Sequence, residues 1–300
     1  MGRLTFVAAV SCFVLALGAR AAEPAAAAPA THVGPEVCAT CHEAETASLR
    51  HYADHPGVAD CEGCHGPGSA HVEAGGDATK IMNPGKLAPA AAAKTCLGCH
   101  DQQHVRDWPG STHQRADLSC LSCHAIHNKD GKNAALLKAP VQADVCFGCH
   151  KMQRIQTMMS SHMPLRESKM QCSDCHNPHG STTKALLVDA SVQDNCIRCH
   201  MEKRGPLLFE HPPVRENCLN CHTPHGSNNE KLLVAARPYL CQQCHNQPTG
   251  HPAQFFRAGQ TAGSVGAGGA QSARIIEGSC QNCHSQVHGS NHPAGALLQR

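Results

Sequence analysis

The sequence predicts a mostly irregular chain of short α-helices, strung from paired repeats, with little of a conventional apolar core. Three observations lead there. Twenty of the 21 cysteines fall into ten Cys-x-x-Cys pairs, each followed at once by histidine. Aromatic residues make up only 3% of the 300 positions, so the bulky side chains that usually dominate a core of this length are missing. From Cys96 onward the boxes recur in pairs at about 45 to 52 residues, the mark of a repeat array.

A Cys-x-x-Cys-His box is the attachment site of a c-type haem, in which both thiols add to the vinyl groups and the adjoining imidazole becomes the proximal iron ligand. The cysteines are Cys38 and Cys41, Cys61 and Cys64, Cys96 and Cys99, Cys120 and Cys123, Cys146 and Cys149, Cys172 and Cys175, Cys196 and Cys199, Cys218 and Cys221, Cys241 and Cys244, and Cys280 and Cys283. Their proximal histidines are His42, His65, His100, His124, His150, His176, His200, His222, His245 and His284. Paired Cys-x-x-Cys is also a zinc signature, but zinc does not call for histidine directly after the second cysteine. Chance placement of ten such histidines has a probability on the order of 10⁻¹¹. Ten covalent haem c groups leave about 28 mature residues per cofactor, so the porphyrins are expected to form the core of a multihaem cytochrome c fold.

The formal net charge is +2, but oxidised haem with two neutral ligands and two ionised propionates carries about −1. The loaded protein should therefore be acidic, at roughly −8 or lower, which argues against a nucleic-acid partner.

Taken in order, the chain opens with Arg3, an apolar run from Leu4 to Leu17 and the small-x-small triplet Ala19-Arg20-Ala21, which reads as a signal peptide over residues 1–21. Cys12 lies inside the run, where its neighbours fit a lipoprotein signal poorly. An Ala/Pro linker follows over residues 22–35, and no later segment is apolar enough to span a bilayer as a helix. Export agrees with haem attachment, which in bacteria takes place outside the cytoplasmic membrane, so the mature protein is expected in the periplasm. A helix is expected from Glu43 to His55, with short helical turns running into each box. A Gly/Ala/Ser-rich loop is expected between Ala258 and Ala273.

Each repeat holds a plain box, a lone histidine ahead of the next box, and then a box with a trailing histidine. The lone histidines are His113, His162, His211 and His251, and the trailing ones are His127, His179, His225 and His288. A Leu-Leu pair follows each trailing histidine: Leu136-Leu137, Leu186-Leu187, Leu232-Leu233 and Leu297-Leu298. The opening pair of boxes is an aberrant copy, as terminal repeats often are, with His51 and His55 ahead of its second box and His71 after it.

Fourteen of the 24 histidines lie outside the boxes, enough to give every iron a second imidazole. The expected distal set is His55, His71, His113, His127, His162, His179, His211, His225, His251 and His288. His51 competes with His55, and His292 with His288. Met158, Met159 and Met163 offer a thioether alternative, though packing against porphyrin is the simpler role. His32 and His104 are left without a role. Irons saturated by two protein ligands offer no open position for substrate, so the chain reads as an electron-transfer protein with no catalytic residues.

The C-H-x-P-H-G-S that recurs around His176 to Ser181 and His222 to Ser227, the C-H-G-P-G-S-A-H of Cys64 to His71 and the closing V-H-G-S-N-H-P resemble the periplasmic decahaem cytochromes of the MtrA/DmsE family. The resemblance implies two pentahaem halves, residues 36–164 and 165–300, with bis-histidine haems stacked into an elongated wire. It further implies that the wire sits in an outer-membrane β-barrel protein. There it connects periplasmic or inner-membrane cytochromes to an extracellular multihaem cytochrome or mineral, in metal reduction or iron oxidation. A soluble shuttle feeding a terminal reductase for dimethyl sulfoxide or nitrite is the alternative partner reading.

Overall fold

The computed structural model describes residues 29–48, 60–127, 133–245 and 280–299. The signal peptide, the linker up to residue 28, the histidines at 51, 55 and 251, and the Gly/Ala/Ser-rich loop lie outside these residues.

Secondary structure is sparse for a local reason: Pro and Gly interrupt the chain before any helix grows long. The longest described helix, Pro89–Leu97, has nine residues. In nine boxes the histidine N–H bonds the first cysteine's carbonyl at 2.9–3.0 Å, and the remaining box is itself the helix Cys61–His65. Each box is thus one helical turn, which aims both sulfurs at one porphyrin edge.

The two kinds of box use that turn differently. Plain boxes finish a helix, as in Pro89–Leu97, Gln142–Phe147, Val192–Ile197 and Tyr239–Gln242. Their partners open one at the first cysteine, as in Cys120–Cys123, Cys172–Asp174, Cys218–Asn220 and Cys280–Asn282. The expectation that a helix runs into every box therefore holds for one kind only. A polar residue just before the partner boxes forces the restart: Asp60 accepts from Gly63 N at 2.7 Å and Asn217 from Leu219 N at 2.9 Å. The helix expected from Glu43 is present over Glu43–Ser48 and then leaves the described residues.

The Leu-Leu pairs build a clamp on the partner boxes. In the clamp after Cys172, Asn177 N donates to Leu186 O at 2.7 Å and Val188 N to Cys175 O at 3.0 Å. The same two bonds recur as Ala125 N to Leu136 O with Lys138 N to Cys123 O, and as Thr223 N to Leu232 O with Val234 N to Cys221 O. Closing so tight a loop puts a leucine in the left-handed region, with φ of 54° at Leu136 and Leu186, 58° at Leu232 and 53° at Leu298. In the last unit it is the second leucine of the pair that takes this conformation, so the final clamp is shifted by one residue.

Repeats dock on one another through the His-Gly-Ser motif. A Cβ on Gly180 would lie 2.0 Å from Asp107 O, and one on Gly226 would lie 1.9 Å from Gln156 O. Gly289 meets Leu207 and Phe209 in the same way, and Phe209 N bonds Ser290 O at 3.0 Å. Asp107 and Gln156 each stand six residues before a lone histidine, His113 and His162, so the motif of one repeat seats on the same place in the repeat before it. At the middle junction β1 (Ser161–His162) and β2 (Gly226–Ser227) pair antiparallel. Gly226→Ala should lower the stability of the loaded protein by about 3 kcal/mol, because backbone on both sides must move apart. Gly98→Ala, whose Cβ would meet only ordinary contacts at 3.8 Å, should not. Thermal midpoints of the two variants check this.

A protein-only core is nearly absent. The buried apolar side chains among the described residues are Ala92, Ala93, Trp108, Ala143 and Leu233. Meanwhile Met152, Met201 and Leu297, all close to boxes, are 60–67% exposed. Five side chains, three of them alanine, bury far too little area to offset the conformational entropy of ordering the chain. Flat apolar cofactors against those outward side chains supply what is missing.

One polar clamp holds the start of the described chain. Glu62, inside the second box, is 4% exposed and accepts from Gly68 N at 2.8 Å, Gly34 N at 2.9 Å and Val33 N at 3.0 Å. Burial alone would raise its pKa, but the backbone N–H groups of Gly34, Gly68 and Val33, with His32 nearby, outweigh it and hold the carboxyl below its ordinary value. A folded pKa below the unfolded one contributes stability above the ordinary carboxylate range, lost as pH falls through the folded value. The amides of Val33, Gly34 and Gly68 should therefore stay protected from exchange at neutral pH and open in acid, whereas in Glu62→Gln they should already exchange faster at pH 7.

Candidate haem-binding site

Two imidazoles bound on opposite sides of one metal ion must stand about 6 Å apart between ring centres, from two metal–nitrogen bonds of roughly 2.0 Å and the ring radii. The structure brings seven pairs to that separation. His42 and His71 lie 6.2 Å apart, His65 and His127 6.2 Å, and His124 and His179 6.0 Å. His113 and His150, His176 and His225, His211 and His245, and His222 and His288 are each 6.1 Å apart. Every pair joins one box histidine to one histidine of the expected distal set. His288 takes the place over His292, whose Nδ1 instead accepts from Ala294 N at 3.1 Å.

The pairs share a further regularity. In each, one imidazole donates its Nδ1–H to a backbone carbonyl, and among the described residues the other has no hydrogen-bond partner. In the pairs built on partner boxes the anchored ring is the box histidine: His65 on Met82 O, His124 on Ala135 O, His176 on Ala185 O and His222 on Lys231 O, at 2.7–2.9 Å. The last three acceptors directly precede the left-handed leucines, so the Leu-Leu clamp exists to present that carbonyl. In the other pairs the anchored ring is the added histidine: His71 on Asp77 O, His113 on Pro178 O and His211 on Val287 O, at 2.7–2.9 Å. A carbonyl only accepts, so Nδ1 carries the proton and Nε2 turns its lone pair toward the partner ring.

Exposure follows the same alternation. The plain-box histidines His42, His100, His150, His200 and His245 are exposed, whereas His65, His124, His176, His222 and His284 are half-buried. Burial also favours the neutral form, the one a ligand needs, at three trailing histidines, His179, His225 and His288. His179 is pushed down to about 4 by burial and by His124, His104 and His113, and His225 and His288 are lowered mainly by burial.

Two expected placements differ. His162 has Nδ1 on Met159 O at 2.7 Å, like other anchored rings, but its Nε2 faces Glu167 at 3.2 Å. His200 meets Glu202 at 3.5 Å, and no histidine ring faces it among the described residues. The other two members of the expected set, His55 and His251, lie outside the described residues. His104, left without a role above, has its ring 5.2 Å from that of His179.

The cysteines place the boxes relative to one another. In the first four pairs the elements carrying a plain box and its partner pack on one another. In all five, burial together with the first cysteine of the partner box raises the pKa of the plain box's first cysteine: Cys61 acts on Cys38, Cys120 on Cys96, Cys172 on Cys146, Cys218 on Cys196, and Cys280 on Cys241. Burial raises the pKa of the partner boxes' second cysteines, Cys64, Cys123, Cys175 and Cys221, and the second cysteine of the next plain box, Cys99, Cys149, Cys199 and Cys244 in turn, lies near enough to add to it. Every interior box thus neighbours the box before it through one sulfur and the box after it through the other.

Comparison with known proteins agrees with this geometry. Residues 162–205 and 211–250 match the doubled CXXCH motif family, and residues 61–140 match the family of NrfB-like cytochrome c-type proteins. The chain is 40% identical over 283 residues to the multihaem cytochrome MtrA of Shewanella baltica (strain OS185), covering 89% of this chain and 81% of that protein. The chain belongs to the MtrA family of multihaem c-type cytochromes. Haem c is its cofactor and electron transfer its activity, and the sparse, short-helical fold expected of paired boxes is the fold observed.

Proposed function

We propose that this MtrA-family chain is a single-file electron conductor with ten haem c groups, each held by two imidazoles, and that it works from the periplasm inside an outer-membrane β-barrel. The observation that carries the wire is the run of neighbouring boxes, each beside the next in sequence order through its cysteines. Haem c supplies reversible one-electron chemistry, and the chain supplies order, ligands and insulation.

Seven ring pairs support two imidazoles per iron. For the iron of His200 we assign His162, which precedes it by 38 residues, as His113 precedes His150 by 37 and His211 precedes His245 by 34. The two halves, 36–164 and 165–300, hold five boxes each and interlock, since His179 reaches back to His124. With both axial positions filled, no iron offers a place for substrate chemistry, so the reading is of a carrier and not an enzyme.

No helix among the described residues is long and apolar enough to cross a membrane. A chain of this kind can still conduct across one by lying in the aqueous lumen of a large barrel. Family membership supports a barrel partner of that kind, with periplasmic or inner-membrane cytochromes on one side and an extracellular multihaem cytochrome or mineral on the other. Purifying tagged protein from detergent-solubilised outer membranes tests this: a large β-barrel retained at equal stoichiometry after salt washing is the expected result. Recovery of all haem in the soluble periplasmic fraction, with no barrel, overturns it in favour of a shuttle to a terminal reductase.

A further inference from the structure

Among the described residues two buried side-chain polar atoms have no hydrogen-bond partner, Trp108 Nε1 and His179 Nδ1. They flank a single junction, where residues 104–113 of one repeat meet residues 177–180 of the next. Asp107 O, adjacent to Trp108, abuts Gly180, adjacent to His179. His113 Nδ1 donates to Pro178 O at 2.7 Å, and Asn177 Nδ2 to His104 O at 3.1 Å.

Both atoms are of one chemical type. The indole nitrogen is a donor only. With Nε2 of His179 turned toward an iron, its Nδ1 also carries hydrogen. A buried donor without an acceptor forfeits its hydration with nothing in return, and two at one junction would be a heavy penalty in a repeat with so small a core. The absent partner is therefore an acceptor that belongs to the assembled protein. Haem brings one acceptor group into such an interior, its propionate carboxylates, because the pyrrole nitrogens are spent on iron. Water fits less well, since a buried water needs two to four partners of both kinds and these two groups offer donors alone.

We propose that Trp108 Nε1 and His179 Nδ1 hold the propionate side chains of haem at this junction, making it a built carboxylate-binding site in the wire. For His179 the propionate comes from a neighbouring haem. The ring's Nδ1 lies on the far side from its own iron, whereas the haem ligated through His113 is tied to the same backbone by the bond to Pro178 O. His179 thereby touches two haems, one as ligand and one as propionate donor, and Trp108 is a positioning residue. The inference rests on the assignment of His179 as an iron ligand.

The chain has a single tryptophan, so Trp108→Phe removes one indole N–H and nothing else of that kind. Losing the donor leaves more negative charge on the propionate, which favours ferric iron. In a spectroelectrochemical titration of the loaded variant, one haem should shift by about tenfold in its oxidation equilibrium, some 59 mV to lower potential, with haem content and low-spin character unchanged. A titration curve superimposed on that of the unmodified protein overturns the proposal. Appearance of high-spin iron in the unmodified protein would instead fault the ligand assignment. Should the variant not load haem, the structure of the unmodified holoprotein decides: a propionate oxygen within about 3.2 Å of Trp108 Nε1 upholds the site, and a water or an empty contact there ends it.

Discussion

Replacing Cys172 and Cys175 together with alanine should lower haem content by one and stop electrons passing between the ends of the chain. Cys172 lies beside Cys146 of the box before it, and Cys175 near Cys199 of the box after it. Among the described residues no cysteine of the fifth box is paired with one of the seventh, so the sixth has no bypass. Vesicles carrying the cytochrome in the β-barrel partner proposed above, with reduced methyl viologen inside and a ferric chelate outside, give the readout. Flux should fall to the level of vesicles with barrel alone. Loss of the terminal box through Cys280→Ala and Cys283→Ala shortens the file from its end and should leave the remaining nine in contact. Wild-type flux through the central variant would mean that the boxes do not form a single file.

His225→Met is expected to have the second largest effect. His225 faces His176 at 6.1 Å and, among the described residues, makes no hydrogen bond that its loss would leave open, so the substitution acts mainly on the iron. A thioether in place of an imidazole raises the potential, by a sizeable fraction of the roughly 0.8 V that axial ligands span. One haem of the set should move upward in a redox titration and become a trap in mid-file, so electrons enter it readily and leave it slowly. An unchanged titration would show that His225 is not a ligand to that iron.

The sequence carried the chemistry and left out the arrangement, for a physical reason that can be followed residue by residue. A haem box is local, five residues on one helical turn, so all the boxes were legible. The seven added histidines that face box histidines stood out in the sequence because nothing else in the repeat needs histidine. Which iron each serves was not, since His179 reaches back 55 residues to His124 and His288 reaches back 66 to His222. The Leu-Leu pairs stood out by repetition, yet their purpose lay in the carbonyls of Ala135, Ala185 and Lys231, and a carbonyl has no letter in the sequence. His104 and Trp108 carried no repeat signal at all. Their significance is set by a junction between units, visible only once Asp107 and Gly180 are found in contact.

The backward reach of the trailing histidines has a temporal side. A chain is made N-terminus first, so the two rings of a pair do not arrive together. His150 and His245 find their partners, His113 and His211, already made ahead of them. His65, His124, His176 and His222 must each wait for the next stretch of chain to arrive with His127, His179, His225 and His288. The order of synthesis therefore separates pairs that are complete as soon as their box is made from pairs that wait until the following unit closes over them. Each unit thus finishes the one made before it, and a chain cut short between the second box and His288 would leave at least one box histidine without the ring that faces it.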